Sequence, residues 1–226
     1  KYNKINDFNS LEEIIYYILK AISSYRTNKG ISIIAKFDRN TFDEYLLFSR
    51  IGESSIGGKA RGLAFANSIM KKHQLFEKYP GVLLTIPRTV VLSTDIFDEF
   101  MEGNDLYKIA LSDRSDQEIL DHFMEARLPS RIYQDLYTFA SVINNPIAVR
   151  SSSKLEDSHY QPFAGVYNTY MVPHVDDNTK MIQLLSQAIK SVYASVYFQN
   201  SKAYMSATSN VIDEEKMGII LQEVCG

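Results

Sequence analysis

One short segment, Ala148-Val149-Arg150-Ser151-Ser152-Ser153, is the most informative part of the chain. Its apolar first half predicts a short buried strand, and that strand ends at an arginine followed by three hydroxyl groups. A guanidinium at a strand end can hold phosphate oxygens through two parallel hydrogen bonds, and the serines can add neutral donors. The segment therefore predicts an anion-binding edge of a sheet at Arg150 and Ser151.

A purely structural explanation of the same segment stays open. Glu156 and Asp157 follow the serines, and either carboxylate could pair with Arg150 or bind a cation. The chain would then leave the strand through a polar, irregular stretch over Ser151–Pro162. Phosphate binding at Arg150 therefore needs support from other parts of the chain.

A second segment, Gly57-Gly58-Lys59, has the composition of a phosphate loop. Two glycines let the backbone approach a ligand closely, and the apolar spacing that follows predicts a helix from Lys59 to about His73. The positive end of that helix faces the loop, and Lys59 adds a mobile cation. The alternative is a glycine-rich helix start with a solvated lysine. A Walker A loop is excluded, because Ala60 stands where that motif needs Ser or Thr.

Two further strand-like segments carry polar groups. Gly165 precedes a predicted strand over Val166–Val172 that contains Thr169, and a glycine there permits close approach of a ligand or another backbone. Met217–Val224 is an apolar strand that ends in polar residues, Gln222 first, and such a strand end can border an adenine. Taken alone, the first segment is better explained as an ordinary strand with a bulge, and the second does not establish an adenine site.

Composition excludes several classes of protein. The chain has 226 residues, enough for one large domain or two small lobes, and its formal net charge of −3 argues against a general nucleic-acid surface. The one cysteine, Cys225, cannot form an internal disulfide, and no apolar run approaches the ~20 residues of a membrane helix. We therefore expect a cytoplasmic protein with neither a membrane nor a nucleic acid as partner. The four histidines lack metal-ligand spacing, so no metal site is predicted within the chain.

Helical and strand-like patterns alternate along the sequence, which indicates a mixed α/β or α+β fold. Ser10-Leu11-Glu12-Glu13 has the pattern of a capping box and opens an amphipathic helix that ends near Arg26; Ser115–Glu118 opens another helix. A long helix is predicted from Asn178 to about Phe198. Because the last segment resembles a buried strand, which normally continues into a partner element, we expect the chain to be part of a longer protein.

In combination, these segments resemble the N-terminal nucleotide-binding region shared by PEP synthase, pyruvate phosphate dikinase and rifampin phosphotransferase. The matching residues are Gly58-Lys59, Ile86-Pro87, Arg150-Ser151-Ser152, Glu156-Asp157, Phe163-Ala164-Gly165, Thr169 and Gln222. The resemblance spans roughly Ser49 to Cys225 and implies an ATP-grasp-like fold that holds ATP between two lobes. It divides the chain into a helical extension of unknown role, residues 1–48, and the N-terminal part of an ATP-binding domain, residues 49–226, truncated at its C-terminal end.

The resemblance also implies roles for individual residues. Lys59 and Arg150 would contact the ATP phosphates and supply catalytic charge. The other expected nucleotide-binding residues are Gly57, Gly58 and Ser151 near the phosphates, Gly165 and Thr169 in the phosphate loop of the second lobe, and Gln222, Glu223 and Val224 around the adenine. Magnesium is the implied cofactor, with ligands expected beyond residue 226.

The implied reaction transfers a phosphoryl group from ATP, through a phosphohistidine on a separate domain, to pyruvate, which gives phosphoenolpyruvate. Residues 1–226 alone are expected to show little or no turnover. A homodimer is compatible with the implied reaction. Two alternatives stay open. The same ATP site could serve another acceptor, such as phosphate with pyruvate, an antibiotic or a glucan, or the chain could be a non-catalytic nucleotide-binding regulatory module.

Overall fold

The computed structural model describes residues 8, 10–18, 21, 34–40, 42, 46–75, 78–79, 82, 84–153, 167–207 and 215–225. Its centre is one six-stranded sheet. The strands are β1 (Ala35–Lys36), β2 (Phe48–Ile51), β3 (Thr89–Leu92), β4 (Ile147–Ser153), β5 (Thr169–Val172) and β6 (Met217–Glu223). The helices are α1 (residues 11–18), α2 (Gly57–Lys72), α3 (Thr94–Gly103), α4 (Tyr107–Ala110), α5 (Asp116–Glu125), α6 (Tyr133–Val142), α7 (Asn178–Ser195) and α8 (Gln199–Ala207), and a 3-10 turn covers Ser130–Ile132.

The strand order across the sheet is β1-β2-β3-β6-β4-β5. The first three strands run parallel, whereas β6 is antiparallel to both β3 and β4, and β4 is antiparallel to β5. Helices cover both faces of this mixed sheet. The predicted mixed α+β class is confirmed.

The two faces of the sheet differ in what packs on them. One face, which includes Val90, Val149 and Leu221, joins a large apolar core with helices such as α3 and α7. The other face carries a smaller cluster, in which Val91 and Ile220 pack with Ala60 of α2. Because side chains alternate between the faces of a strand, this second face presents α2 directly to β6 and β4.

The β4 strand is longer than its apolar residues predict. The sequence indicated a polar, irregular stretch from Ser151 onwards, which is wrong for Ser151–Ser153. These residues extend β4 and pair with Met217–Ile219 of β6, and all three serines are fully buried. The ladder to β6 provides partners for the backbone N–H and C=O groups of these serines, and their small hydroxyl side chains fit between packed elements. The polarity of the residues in the sequence reveals neither feature.

The predicted helices are largely confirmed. Both halves of the Ser115 capping box are formed, since Ser115 Oγ accepts from the Glu118 N–H and Glu118 accepts from the Ser115 N–H. At the N-terminus, residues 11–18 are helical, but most of their apolar side chains are exposed, 71% for Leu11 and 49% for Ile15. The predicted end of this helix near Arg26 lies outside the described residues. The helix α8 was not predicted, because Gln199–Ala207 lacks an apolar stripe. Among the described residues, no helix combines the length and the apolar character needed to cross a membrane.

Candidate functional site

The start of α2 is locked onto the end of β4. Ser152 Oγ donates to the Ile56 carbonyl at 2.7 Å and accepts from the Ala60 N–H at 3.1 Å. Gly57, the first helical residue, has a φ of +75°, and a Cβ there would lie 1.8 Å from the Ser152 carbonyl oxygen. A glycine is therefore required at position 57 both for its backbone conformation and for this close approach.

The locked junction brings Lys59 to the same strand. Its Nζ lies 3.3 Å from Ser151 Oγ, although the two residues are 92 positions apart in the sequence. The Gly57 N–H donates to Ser55 Oγ at 3.3 Å, and the Ala60 N–H is taken by Ser152. Gly58 and Lys59 lie between these two capped positions, at the positive end of the helix dipole. The lysine ammonium and the helix N-terminus thus both lie beside the end of β4.

Arg150 faces the same side of the sheet as α2. Ala148, Arg150 and Ser152 alternate with their neighbours along β4, and Ser152 contacts α2 directly. The guanidinium Nη1 of Arg150 donates to Gln222 Oε1 at 3.1 Å. Within the described part of the chain, no carboxylate forms an ion pair with Arg150. The described partner of this half-buried guanidinium is therefore a neutral amide.

The loop before α2 is held from two sides. Arg50 Nη1 donates to the carbonyls of Glu53 and Ser54 at 2.7 and 3.3 Å. On the other side, the carboxylate of Asp95 accepts the N–H groups of Glu53 and Ser54 at 3.2 and 3.1 Å. The loop backbone is thus fixed through both its donors and its acceptors, which sets the path by which the chain enters α2.

Asp95 is itself anchored by a cation on another element. Arg131 donates to Asp95 Oδ2 at 2.9 Å and to Glu99 Oε2 at 2.7 Å, and Ser93 Oγ also donates to Asp95. Burial acts to raise the pKa of Asp95, but hydrogen bonds from Ser93, the Ser54 N–H and Arg131 outweigh it and lower the pKa to about 2. Sequence reasoning missed this supporting group, since its only local signal is an acid in the first turn of α3.

The lowered pKa of Asp95 predicts a pH-dependent part of the stability. The stabilisation is fully present above the unfolded-state pKa of about 3.8 and is lost as the pH falls towards the folded-state pKa of about 2. We expect Asp95→Asn to lower the free energy of unfolding near neutral pH and to weaken its dependence on pH between about 4 and 2. Denaturant titrations across that range measure both effects.

The matched control for this prediction is Asp121→Asn, because Asp121 is exposed on α5 and its carboxylate accepts from the Gln117 amide. This control should leave the pH dependence close to that of the unmodified protein. If Asp95→Asn kept the full pH slope in the acid range, Asp95 would not hold the loop in the way described.

The three residues expected around an adenine divide between the two faces of the sheet. The side chain of Gln222 lies with Arg150, whereas the Glu223 carboxylate accepts from Asn145 Nδ2 at 2.8 Å and lies 3.7 Å from Arg88. The Glu223 N–H donates to the Arg88 carbonyl, and the Val224 N–H to the Pro146 carbonyl, both at 2.9 Å. A base bound at this strand end would therefore have to use groups other than these two N–H donors.

The structure thus brings together one set of the predicted site residues. Gly57, Gly58, Lys59, Arg150, Ser151 and Gln222 lie around the junction of α2 with β4 and β6. Thr169, exposed on β5, lies opposite Arg150 in the ladder. Gly165 lies outside the described residues, as do Glu156 and Asp157. In the described ranges, no group of three or more His, Cys, Asp or Glu side chains is arranged to hold a metal ion.

The sequence matches a known protein family over most of its length. Residues 53–226 match the family model of the pyruvate phosphate dikinase AMP/ATP-binding domain. The chain belongs to this family, and it is therefore an ATP-binding domain of the phosphotransferases that contain it. The predicted family resemblance is confirmed.

A similar curated protein is the uncharacterized phosphotransferase YvkC of Bacillus subtilis (strain 168). The two sequences are 27% identical over 177 residues, which is 78% of this chain and 19% of the relative. The chain thus spans about a fifth of the length of that relative.

Proposed function

We propose that this chain binds ATP so that a phosphoryl group passes to a histidine on a separate domain and from there to pyruvate, giving phosphoenolpyruvate. The phosphates lie against the N-terminus of α2, between Lys59 and Arg150. Ser151, which is fully buried, accepts a hydrogen bond from Lys59 and so positions its ammonium. Thr169 borders the phosphates from the neighbouring strand. The adenine extends towards the end of β6, beyond Gln222, at Glu223 and Val224.

One observation carries this proposal. The ammonium of Lys59 contacts Ser151 at 3.3 Å, next to an arginine whose described partner is a neutral amide. A lysine ammonium, an arginine guanidinium and a helix N-terminus are groups that proteins commonly use to bind phosphate oxygens. The triphosphate of ATP carries the negative charge that such groups bind.

The chemistry asked of these residues is positioning and charge neutralisation. As the phosphorus–oxygen bond to the leaving nucleotide breaks, negative charge grows on the leaving oxygen and on the transferred group. The Arg150 guanidinium and the Lys59 ammonium stabilise that charge from fixed positions, and the N–H groups at the start of α2 orient the phosphate oxygens. Magnesium, when bound, supplies further positive charge; we propose that its ligands lie outside the described residues.

The proposal is tested with the protein that contains this chain, incubated with ATP labelled in its β- and γ-phosphates. We expect acid-labile, base-stable label on the protein, as a phosphorus–nitrogen bond requires. Addition of pyruvate should discharge the label into phosphoenolpyruvate, which ³¹P nuclear magnetic resonance identifies.

Each other outcome excludes a definite part of the proposal. A labelled histidine that pyruvate does not discharge would retain phosphotransfer but exclude pyruvate as the acceptor. ATP binding with neither label nor turnover would overturn the enzymatic proposal in favour of a nucleotide-binding regulatory module. The Lys59→Ala and Arg150→Ala variants are assayed separately beside the unmodified protein. Loss of the label in both variants would link phosphorylation to this site.

A further inference from the structure

A chain of directed hydrogen bonds runs across the sheet from Arg150. Arg150 donates to Gln222 Oε1 at 3.1 Å, and Gln222 Nε2 donates to Thr89 Oγ1 at 3.2 Å. Thr89 Oγ1 in turn donates to the Pro87 carbonyl at 2.8 Å. The series begins on β4, crosses β6 and ends on the segment that enters β3.

The backbone carbonyl at the end of this series sets the direction of every bond in it. A carbonyl oxygen can only accept, so the Thr89 hydroxyl uses its proton on Pro87 and presents a lone pair to Gln222. The amide of Gln222 must then turn its NH₂ to Thr89 and its oxygen to Arg150. The orientation of an amide group, which is otherwise ambiguous, is therefore determined by the protein here.

Geometry and burial make this amide a rigid support. Thr89 lies opposite Gln222 in the β3–β6 ladder, and Arg150 is its diagonal neighbour across the β4–β6 ladder. Thr89 is fully buried, and Gln222 is only 9% exposed. Both polar ends of the Gln222 side chain are thus engaged inside the protein.

The neutral character of the acceptor is as important as its position. A carboxylate in the place of Gln222 would hold Arg150 equally well, but it would also cancel the positive charge. An amide oxygen restricts the guanidinium without neutralising it. This combination suits an arginine whose charge is to be used on a ligand.

We infer that Gln222 and Thr89 are positioning residues, which hold the Arg150 guanidinium in the orientation that contacts the ATP phosphates. This inference rests on the proposed role of Arg150 at the phosphates. It gives Gln222 a different task from contact with the adenine base. Thr89 is fully buried, so it acts on the nucleotide only through Gln222.

The test is a double-mutant cycle on ATP affinity, measured by isothermal titration calorimetry with the protein that contains this chain. Gln222→Leu should weaken ATP binding about two- to tenfold, the effect of losing one positioning hydrogen bond. Thr89→Val, which removes only the hydroxyl, should weaken it in the same direction and by less. In the Arg150→Ala background, neither substitution should weaken binding further.

Two more variants sharpen the test. Gln222→Glu should bind ATP less well than Gln222→Leu, because a carboxylate neutralises Arg150 and repels the phosphates. Thr138→Val is the matched control for Thr89→Val, since Thr138 donates to a helix carbonyl on α6, away from the sheet. It should leave ATP affinity unchanged. If Gln222→Leu does not fold, the cycle is measured with the milder Thr89→Val variant, Arg150→Ala and their combination.

Nucleotide selectivity separates positioning from base recognition. If Gln222 acts through Arg150, ATP and GTP affinities should fall by the same factor in Gln222→Leu. A change in the ATP-to-GTP ratio, or an additive loss in the Arg150→Ala background, would overturn the inference while leaving the proposed function intact. Conversely, a non-additive cycle together with no phosphohistidine would support the positioning role and overturn the proposed reaction.

Discussion

Alanine at position 57 is expected to destabilise the protein by about 2–5 kcal/mol and to weaken ATP binding sharply. Gly57 has a φ of +75°, which a Cβ disfavours, and the added atom would lie 1.8 Å from the Ser152 carbonyl oxygen. That oxygen belongs to the backbone of β4, so neither side can yield without moving a strand or the start of α2. Denaturant unfolding monitored by circular dichroism measures the first effect, and calorimetric titration with ATP the second.

The same helix offers a matched control. Gly62 is exposed on α2, and a Cβ there would meet no atom within 4 Å. Gly62→Ala should therefore stabilise the protein by up to about 1 kcal/mol through helix propensity, with unchanged ATP affinity. If Gly57→Ala were as harmless as Gly62→Ala, the tight junction between α2 and β4 would be wrong.

Loss of the two cations is expected to have the largest effect on nucleotide binding. Arg150→Ala removes a charge-assisted hydrogen bond of about 1.5–3 kcal/mol, so ATP affinity should fall about tenfold or more. The double variant Lys59→Ala/Arg150→Ala should fall by roughly a hundredfold or more. Because Arg150 is half-buried and its described partner is neutral, its removal breaks no ion pair within the described residues, and the folded state should persist.

Two exposed cations serve as controls for charge alone. Arg114 pairs with Glu118 on α5, and Lys108 pairs with Asp105 near α4. Arg114→Ala and Lys108→Ala should leave ATP affinity within about twofold, since exposed ion pairs contribute little. Unchanged ATP affinity in both Lys59→Ala and Arg150→Ala would show that the phosphates bind elsewhere.

Local sequence patterns predicted those parts of the fold that depend on neighbouring residues. The Ser115 capping box and the α7 helix follow from spacings within one helix, and they are found as expected. The glycines before Lys59 likewise predicted a helix start, because backbone freedom and a following apolar stripe are both local signals.

The remaining features of the site depend on residues that are far apart in the chain. Ser152 fixes α2 through bonds to residues 92 and 96 positions away. Gln222 meets Thr89 across 133 positions. No periodicity encodes such pairs, since they exist only once β6 has been placed between β3 and β4. For the same reason, the burial of three consecutive serines in β4 could not be read from their polarity.

The position of β6 between β3 and β4 has a consequence for how the binding site comes into being. The α2 helix is synthesised well before β4, and β6 follows the other five described strands. A nascent chain therefore carries Gly57 and Lys59 long before the strands that support them exist. Such long-range pairings form slowly, because loop closure must precede them. Nucleotide affinity should therefore arise at a late stage of folding, and ATP, by binding only the folded state, should raise its resistance to unfolding in proportion to the logarithm of the ATP concentration.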